Sequence, residues 1–182
     1  MVLRVGIAGY GLAGRYFHAP LLKGCGFEIA AILTNNQLRA SHASTDFPGV
    51  RVVATMQEML THQLDLVVVA SANLVHAEQA AAALNATIPV VVDKPMGRNF
   101  EETKSIVELS NKLGVPVSTF FNRRWDSDAL TIKKVIASGA LGHIHRMDSR
   151  FERFRPEVNK DSWRENMSAE DGGGQLLDLQ PH

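Results

Sequence analysis

A chain of 182 residues, 45% hydrophobic and 21% charged, can bury the core of one domain and part of a second; this excludes a disordered, collagen-like or disulfide-stapled protein. Nineteen basic and nineteen acidic residues cancel, so no strong field draws the protein to nucleic acid or anionic lipid. A single cysteine, Cys25, no leader pattern and no apolar run near the roughly 20 residues of a membrane helix predict a cytoplasmic protein with neither nucleic acid nor membrane as partner.

From the N-terminus the chain alternates short apolar runs with helical patterns. Val2–Ala8, Phe27–Leu33, Leu64–Ser71, Pro89–Asp93 and Val115–Phe121 predict strands, with a weaker one at Val50–Val53. Several are apolar at nearly every position, as strands covered on both faces must be. Ala13–Lys23, Gln37–Ser44, Met56–His62, Val75–Asn85 and Phe100–Leu113 predict the helices between them; the last ends at Gly114 with Pro116 close behind. This alternation predicts an α/β fold, a doubly wound parallel sheet with helices on both faces.

A change of character follows. Residues 1–125 carry 20 charged side chains, and residues 126–182 carry 18 in less than half the length, so charge density roughly doubles. We place a first α/β domain at 1–122 and an incomplete second α/β domain at 123–182. Asp126–Ser138 predicts a helix. His143–Phe154, with Ile144, Met147, Phe151 and Phe154 among charges, predicts a half-exposed antiparallel strand. One helix and one strand do not complete a second sheet, so the chain reads as a fragment of a longer protein.

GYGLAG, Gly9 to Gly14, stands between the first strand and the first helix. Gly9 permits the tight turn, Gly11 leaves room for a pyrophosphate, and Gly14 lets helix and strand approach. The backbone N–H groups of Gly11, Leu12, Ala13 and Gly14 then open a helix whose positive end favours phosphate. The second strand runs into Leu33-Thr34-Asn35-Asn36 with no carboxylate to bond a ribose 2′-hydroxyl. Thr34 and Asn35 tolerate a 2′-phosphate there, and Arg39 offers it a planar fork. The expected cofactor is NADP, with NAD as the alternative. Lys94, in VVVDKP (Val90–Pro95), follows a buried strand at the edge where ligands sit in such sheets.

These motifs resemble those of the glucose–fructose oxidoreductase / inositol dehydrogenase (Gfo/Idh/MocA) family. The family's Glu-Lys-Pro signature corresponds to Asp93-Lys94-Pro95. Its Thr-Pro-Asn-x-x-His turn corresponds to Ser71-Ala72-Asn73-Leu74-Val75-His76. Its Gly-Gly-Gly-x-Leu-x-Asp-x-Gly-x-His run corresponds to Gly172–His182, with Gln180 where the family has Gly. GRYFHAPLL (Gly14–Leu22), FFNRRWDSD (Phe120–Asp128) and RFRP (Arg153–Pro156) narrow the likeness to the subset that holds NADP-dependent scyllo-inositol dehydrogenases. The resemblance implies a Rossmann domain followed by an open-sheet α/β domain, a sugar or polyol substrate, and a homo-oligomer for the full-length parent. It adds Ser71, Asn73, His76 and Lys94 to the cofactor contacts and makes Lys94, Asp178 and His182 catalytic, with no metal. Lys94 would bond the reacting oxygen, His182 would move the proton and Asp178 would orient the substrate and the His182 imidazole. His18 would line the cleft. A 182-residue fragment is expected to show little turnover, and the alternative is a nicotinamide-nucleotide-binding protein without catalysis.

Overall fold

The structure is a computed structural model that describes residues 2–150, 152, 154, 156, 157, 163–171, 173, 174, 178 and 179. Its strands are β1 (Arg4–Ala8), β2 (Glu28–Leu33), β3 (Arg51–Val53), β4 (Leu66–Val69), β5 (Val90–Asp93) and β6 (Val117–Phe120). All pair in parallel, in the order β3-β2-β1-β4-β5-β6. The chain therefore reverses its winding between β1 and β4, and a crevice opens there at the carboxyl ends of the strands.

Helices α1 (Ala19–Gly24) and α2 (Gln37–Asp46) cover one face; α3 (Met56–Leu60), α4 (His76–Asn85) and α5 (Phe100–Leu113) cover the other. Successive strand residues point to opposite faces, so β4 sends Val67 and Val69 to one core and Val68 to the second. Each such side chain, fully buried, contributes roughly 1.5–3 kcal/mol. That is why these strands read as unbroken apolar runs.

The helix ends follow local chemistry. Asn36, Thr55 and Asn99 cap α2, α3 and α5, each side-chain oxygen accepting an N–H three residues on. Gly114 closes α5 at φ 65°, a left-handed position that suits glycine.

Two segments depart from the sequence reading. The first helix is not regular: Gly14–His18 forms a π turn in which the Ala19 N–H donates to the Gly14 carbonyl. Pro20 explains it, because a proline inside a helix supplies no N–H and crowds the carbonyl four residues earlier. Beyond α6 (Ser127–Ala137), residues 143–150 form no strand, and every one of them is exposed. Among the described residues nothing lies beside them to accept a ladder of hydrogen bonds, so their alternating apolar positions have nowhere to bury. Phe154 is 91% exposed, and Phe151 lies outside the described residues. A short α7 (Trp163–Asn166) follows, and Asp178 and Leu179 are helical.

Candidate functional site

The carboxyl edge of the sheet gathers the loops that carry the motifs. After β1, Gly9 takes φ 101°, and a Cβ there would stand 2.6 Å from the Ala70 carbonyl oxygen. Only glycine fits this turn, which crosses the end of β4 at contact distance. Gly11 differs: the three nearest neighbours of a Cβ would all be atoms of the Arg39 guanidinium, from 3.5 to 3.9 Å away. A side chain at 11 would thus fill the space between glycine turn and guanidinium, which is a cradle of the kind a phosphate needs.

Arg39 reaches this point because Asn36 Oδ1 accepts its backbone N–H at 3.0 Å, fixing the first turn of α2 after β2. Thr34 Oγ1 accepts the Asn36 N–H at 3.3 Å, and Asn35 stays exposed. Arg39 itself is exposed, and its guanidinium has no ion pair among the described residues. A cleft of about 220 Å³ lies at the end of β2, lined by Leu33, Asn35, Thr55, Val75 and Gln79 among others.

The glycine turn is fastened from outside. Asp46, at the end of α2, accepts Arg15 Nε at 2.7 Å, Arg15 Nη2 at 3.2 Å and the Tyr10 hydroxyl at 3.0 Å. The Arg15 hydrogen bonds hold the Asp46 carboxyl below the usual carboxylate range. Burial, then the bond to Asp46, pushes the Tyr10 phenol well above its ordinary value. Residues 10 and 15 thereby pin both ends of the motif to one carboxylate.

At the other end of the crevice, after β5, Lys94 Nζ donates to Asp178 Oδ1 at 2.7 Å and to the Asp178 carbonyl oxygen at 2.6 Å. Asp178 is 6% exposed, and both side chains are largely withdrawn from water. An ammonium has three N–H donors, so two are spent on Asp178 and one remains. Asp93 Oδ1 accepts the Lys94 backbone N–H at 2.7 Å. Below the loop, Arg98 pairs with Glu102 in the first turn of α5, and the hydrogen bonds from Arg98 lower the Glu102 carboxyl.

The structure thus brings Lys94 and Asp178 into contact and sets Gly9, Gly11, Leu12, Ala13, Gly14, Thr34, Asn35 and Arg39 along the same edge. Asn73 is buried in a short 3₁₀ turn (Asn73–Val75) after β4, and Ser71 Oγ donates to Gln79 Oε1 at 2.7 Å. His76, expected as a cofactor contact, follows the same turn at the start of α4. It is 1% exposed, with Nδ1 2.8 Å from the Pro95 carbonyl oxygen and Nε2 3.2 Å from that of Ser71. The imidazole lies between these two carbonyls and ties the β4 loop to the Lys94-Pro95 loop. His182 and Gln180 lie outside the described residues. His18 lies under the edge, packed on Phe120. The sequence reading passed over Asp46, whose partners are 31 and 36 residues away and carry no local pattern.

A doubly wound parallel sheet with a glycine turn at its reversal point and a lysine across the crevice defines a dinucleotide-binding domain of the Rossmann kind. The comparisons name the group within that class. The chain belongs to the GFO_IDH_MocA family: residues 3–121 match "Oxidoreductase family, NAD-binding Rossmann fold", and residues 129–182 match "GFO/IDH/MocA C-terminal domain".

Among its relatives, the uncharacterized oxidoreductase YdgJ of Escherichia coli K12 is 41% identical over 99% of this chain and 51% of its own length. The scyllo-inositol 2-dehydrogenase (NADP(+)) IolW of Bacillus subtilis 168 is 37% identical over 99% of this chain and 49% of its own. Of solved structures, YvaA of Bacillus subtilis superposes with a TM-score of 0.89 at 35% identity, covering 99% of this chain and 50% of that one. An NAD-binding protein of Listeria innocua superposes at 0.88 and 26% identity, covering 99% of this chain and 52% of the other. The chain spans about half the length of the curated relatives it matches. Among the described residues no helix is long and apolar enough to cross a membrane.

Proposed function

We propose that this chain is the cofactor-binding part of a cytoplasmic NADP-dependent dehydrogenase for a sugar or inositol-like polyol. The observation that carries the reading is the Arg39 guanidinium standing over Gly11, on the edge of the sheet that also holds the Lys94–Asp178 pair. The glycine turn would hold the pyrophosphate on backbone N–H groups. Thr34, Asn35 and Arg39 would hold the ribose 2′-phosphate, and the cleft beside Thr55 and Val75 would take the adenine. The bound nicotinamide supplies a hydride acceptor or donor.

Lys94 keeps one N–H free of Asp178, and that donor is directed to the alcohol or carbonyl oxygen of the substrate. As the hydroxyl proton leaves, or in the reverse direction as hydride reaches the carbonyl carbon, negative charge would grow on that oxygen and strengthen the bond from Lys94. Asp178 holds the ammonium against the crevice, and His182 takes or returns the hydroxyl proton. The names of IolW and of the inositol 2-dehydrogenase of Corynebacterium glutamicum, 30% identical over 78% of this chain, support the polyol class and, for IolW, NADP. Under this reading the unit at residues 1–122 binds cofactor, residues 123–182 begin the substrate domain, and the whole protein is a homo-oligomer.

The test is fluorescence titration of the chain with NADPH and NADH, followed by absorbance at 340 nm with a panel of polyols. Tighter NADPH binding is expected, with barely detectable turnover by these 182 residues alone. Failure to bind either cofactor overturns the proposal. Robust turnover that is indifferent to Lys94→Ala overturns the role of Lys94.

A further inference from the structure

His18 is the histidine that the cofactor and Lys94 leave unused, and its surroundings are unusual. It is 4% exposed, and its Nε2 is buried without a hydrogen-bond partner among the described residues. A buried polar atom left unpaired costs about 1–3 kcal/mol, so such an atom calls for a reason. The nearest charged atom is Asp93 Oδ2, at 3.5 Å, which is outside hydrogen-bonding geometry but close enough to become a bond through a shift of a few tenths of an ångström. The other oxygen of the same carboxylate, Oδ1, already holds the Lys94 backbone N–H at 2.7 Å.

The local fold aims the ring at this point. Pro20 forces the π turn at Gly14–His18, which adds a residue to the turn and puts both Gly14 and His18 on its buried side. Such turns occur often at functional sites. Phe120, at the end of β6, packs against the imidazole with ring centroids 4.4 Å apart and fixes it from the far side. The ring is held by packing and directed at a carboxylate, with its polar contact left slightly open.

We infer that His18 is a positioning residue for Lys94: its Nε2–H closes onto Asp93 Oδ2 when the crevice fills, and so locks the carboxylate that holds the lysine's backbone. Hydrogen bonds at such sites are often long in the empty protein and tighten with ligand. The glycine turn and His18 belong to one continuous segment, residues 9–18. Cofactor binding at its front is therefore transmitted to the Asp93-Lys94 loop through one ring. The inference rests on the cofactor reading above.

The test is hydrogen exchange of the Lys94 amide, with the core amide of Ile106 as the fold control, in the wild-type chain, His18→Leu and His18→Gln. Leucine keeps the volume and removes the donor; glutamine restores a donor at a similar reach. With NADPH bound, Lys94 exchange is expected to be about tenfold faster in His18→Leu than in wild type and to stay within about threefold of wild type in His18→Gln, with Ile106 unchanged in both. NADPH should slow Lys94 exchange further in wild type but not in His18→Leu. In an Asp93→Ala background His18→Leu should have no further effect on Lys94. Equal Lys94 exchange in NADPH-bound wild type and NADPH-bound His18→Leu would overturn the inference, as would a glutamine variant that behaves like leucine. Absence of NADPH binding would instead overturn the cofactor reading on which the inference rests.

Discussion

Arg39→Ala measures how much of the cofactor preference resides in one side chain. The guanidinium lies about one atom's width above Gly11 and has no carboxylate partner among the described residues, so its charge is available to a ligand. A phosphate monoester carries about −1.5 to −2 charges at neutral pH. Two unit charges 4 Å apart attract by about 1 kcal/mol in water, so the pair reaches about 1.5–2 kcal/mol before screening. Arg39 is exposed, and at physiological salt the Debye length of about 8 Å removes roughly a third to a half of that. About 1 kcal/mol survives, and one charge-assisted hydrogen bond adds a similar amount. The variant should therefore bind NADPH about 5- to 30-fold more weakly, while NADH, which lacks the 2′-phosphate, changes less than about twofold. Calorimetric titration of both cofactors at low and at 0.5 M salt separates the terms, because the NADPH preference should shrink with salt in wild type and stay small in the variant. Equal losses for the two cofactors would refute the argument and assign Arg39 to the pyrophosphate that both share. No loss for either would return it to the solvated surface of α2.

Three further outcomes are expected. Asn99→Ala removes the oxygen that accepts the Glu102 N–H at the start of α5 and should cost about 1 kcal/mol, or about 2–4 °C in melting temperature by circular dichroism. Asp46 and Glu102 have lowered pKa values through Arg15 and Arg98, so each contributes stability that is complete above the ordinary carboxylate range near 4 and lost as pH falls through the lowered value. Urea midpoints should therefore hold steady from pH 7 to about 5 and fall below about 4, and Arg15→Gln should make that acid slope shallower; an unchanged slope would show that the Asp46 contacts do not persist in solution. Limited proteolysis should trim the chain towards a core ending near residue 122, since α6 has no buried residue and residues 138–150 are wholly exposed; equal protection of residues 130–150 in a monomer would count against that boundary.

The strands were legible because a strand covered on both faces has no choice but to be apolar at every position, as Leu66–Val69 shows. The glycine turn was legible because its requirement is local: Gly9 needs a positive φ and Gly11 an empty Cβ position, and both lie within six residues of sequence. What escaped reading depends on partners far along the chain. Asp46 sits in QLRASHASTD as one more helix-end carboxylate, and nothing nearby reveals that Tyr10 and Arg15 fold back onto it. The Lys94–Asp178 contact spans 84 residues; a family likeness assigned both residues to one site but did not pair them. His18 stands between these cases. Pro20, two residues later, announces a broken helical ladder, and a broken ladder rotates whatever precedes it. Which way the ring then points, and that Asp93 awaits it, follows only once β1 and β5 are placed two strands apart in the same sheet with β4 between them. Local grammar therefore locates the element, and strand order decides what chemistry the element can reach.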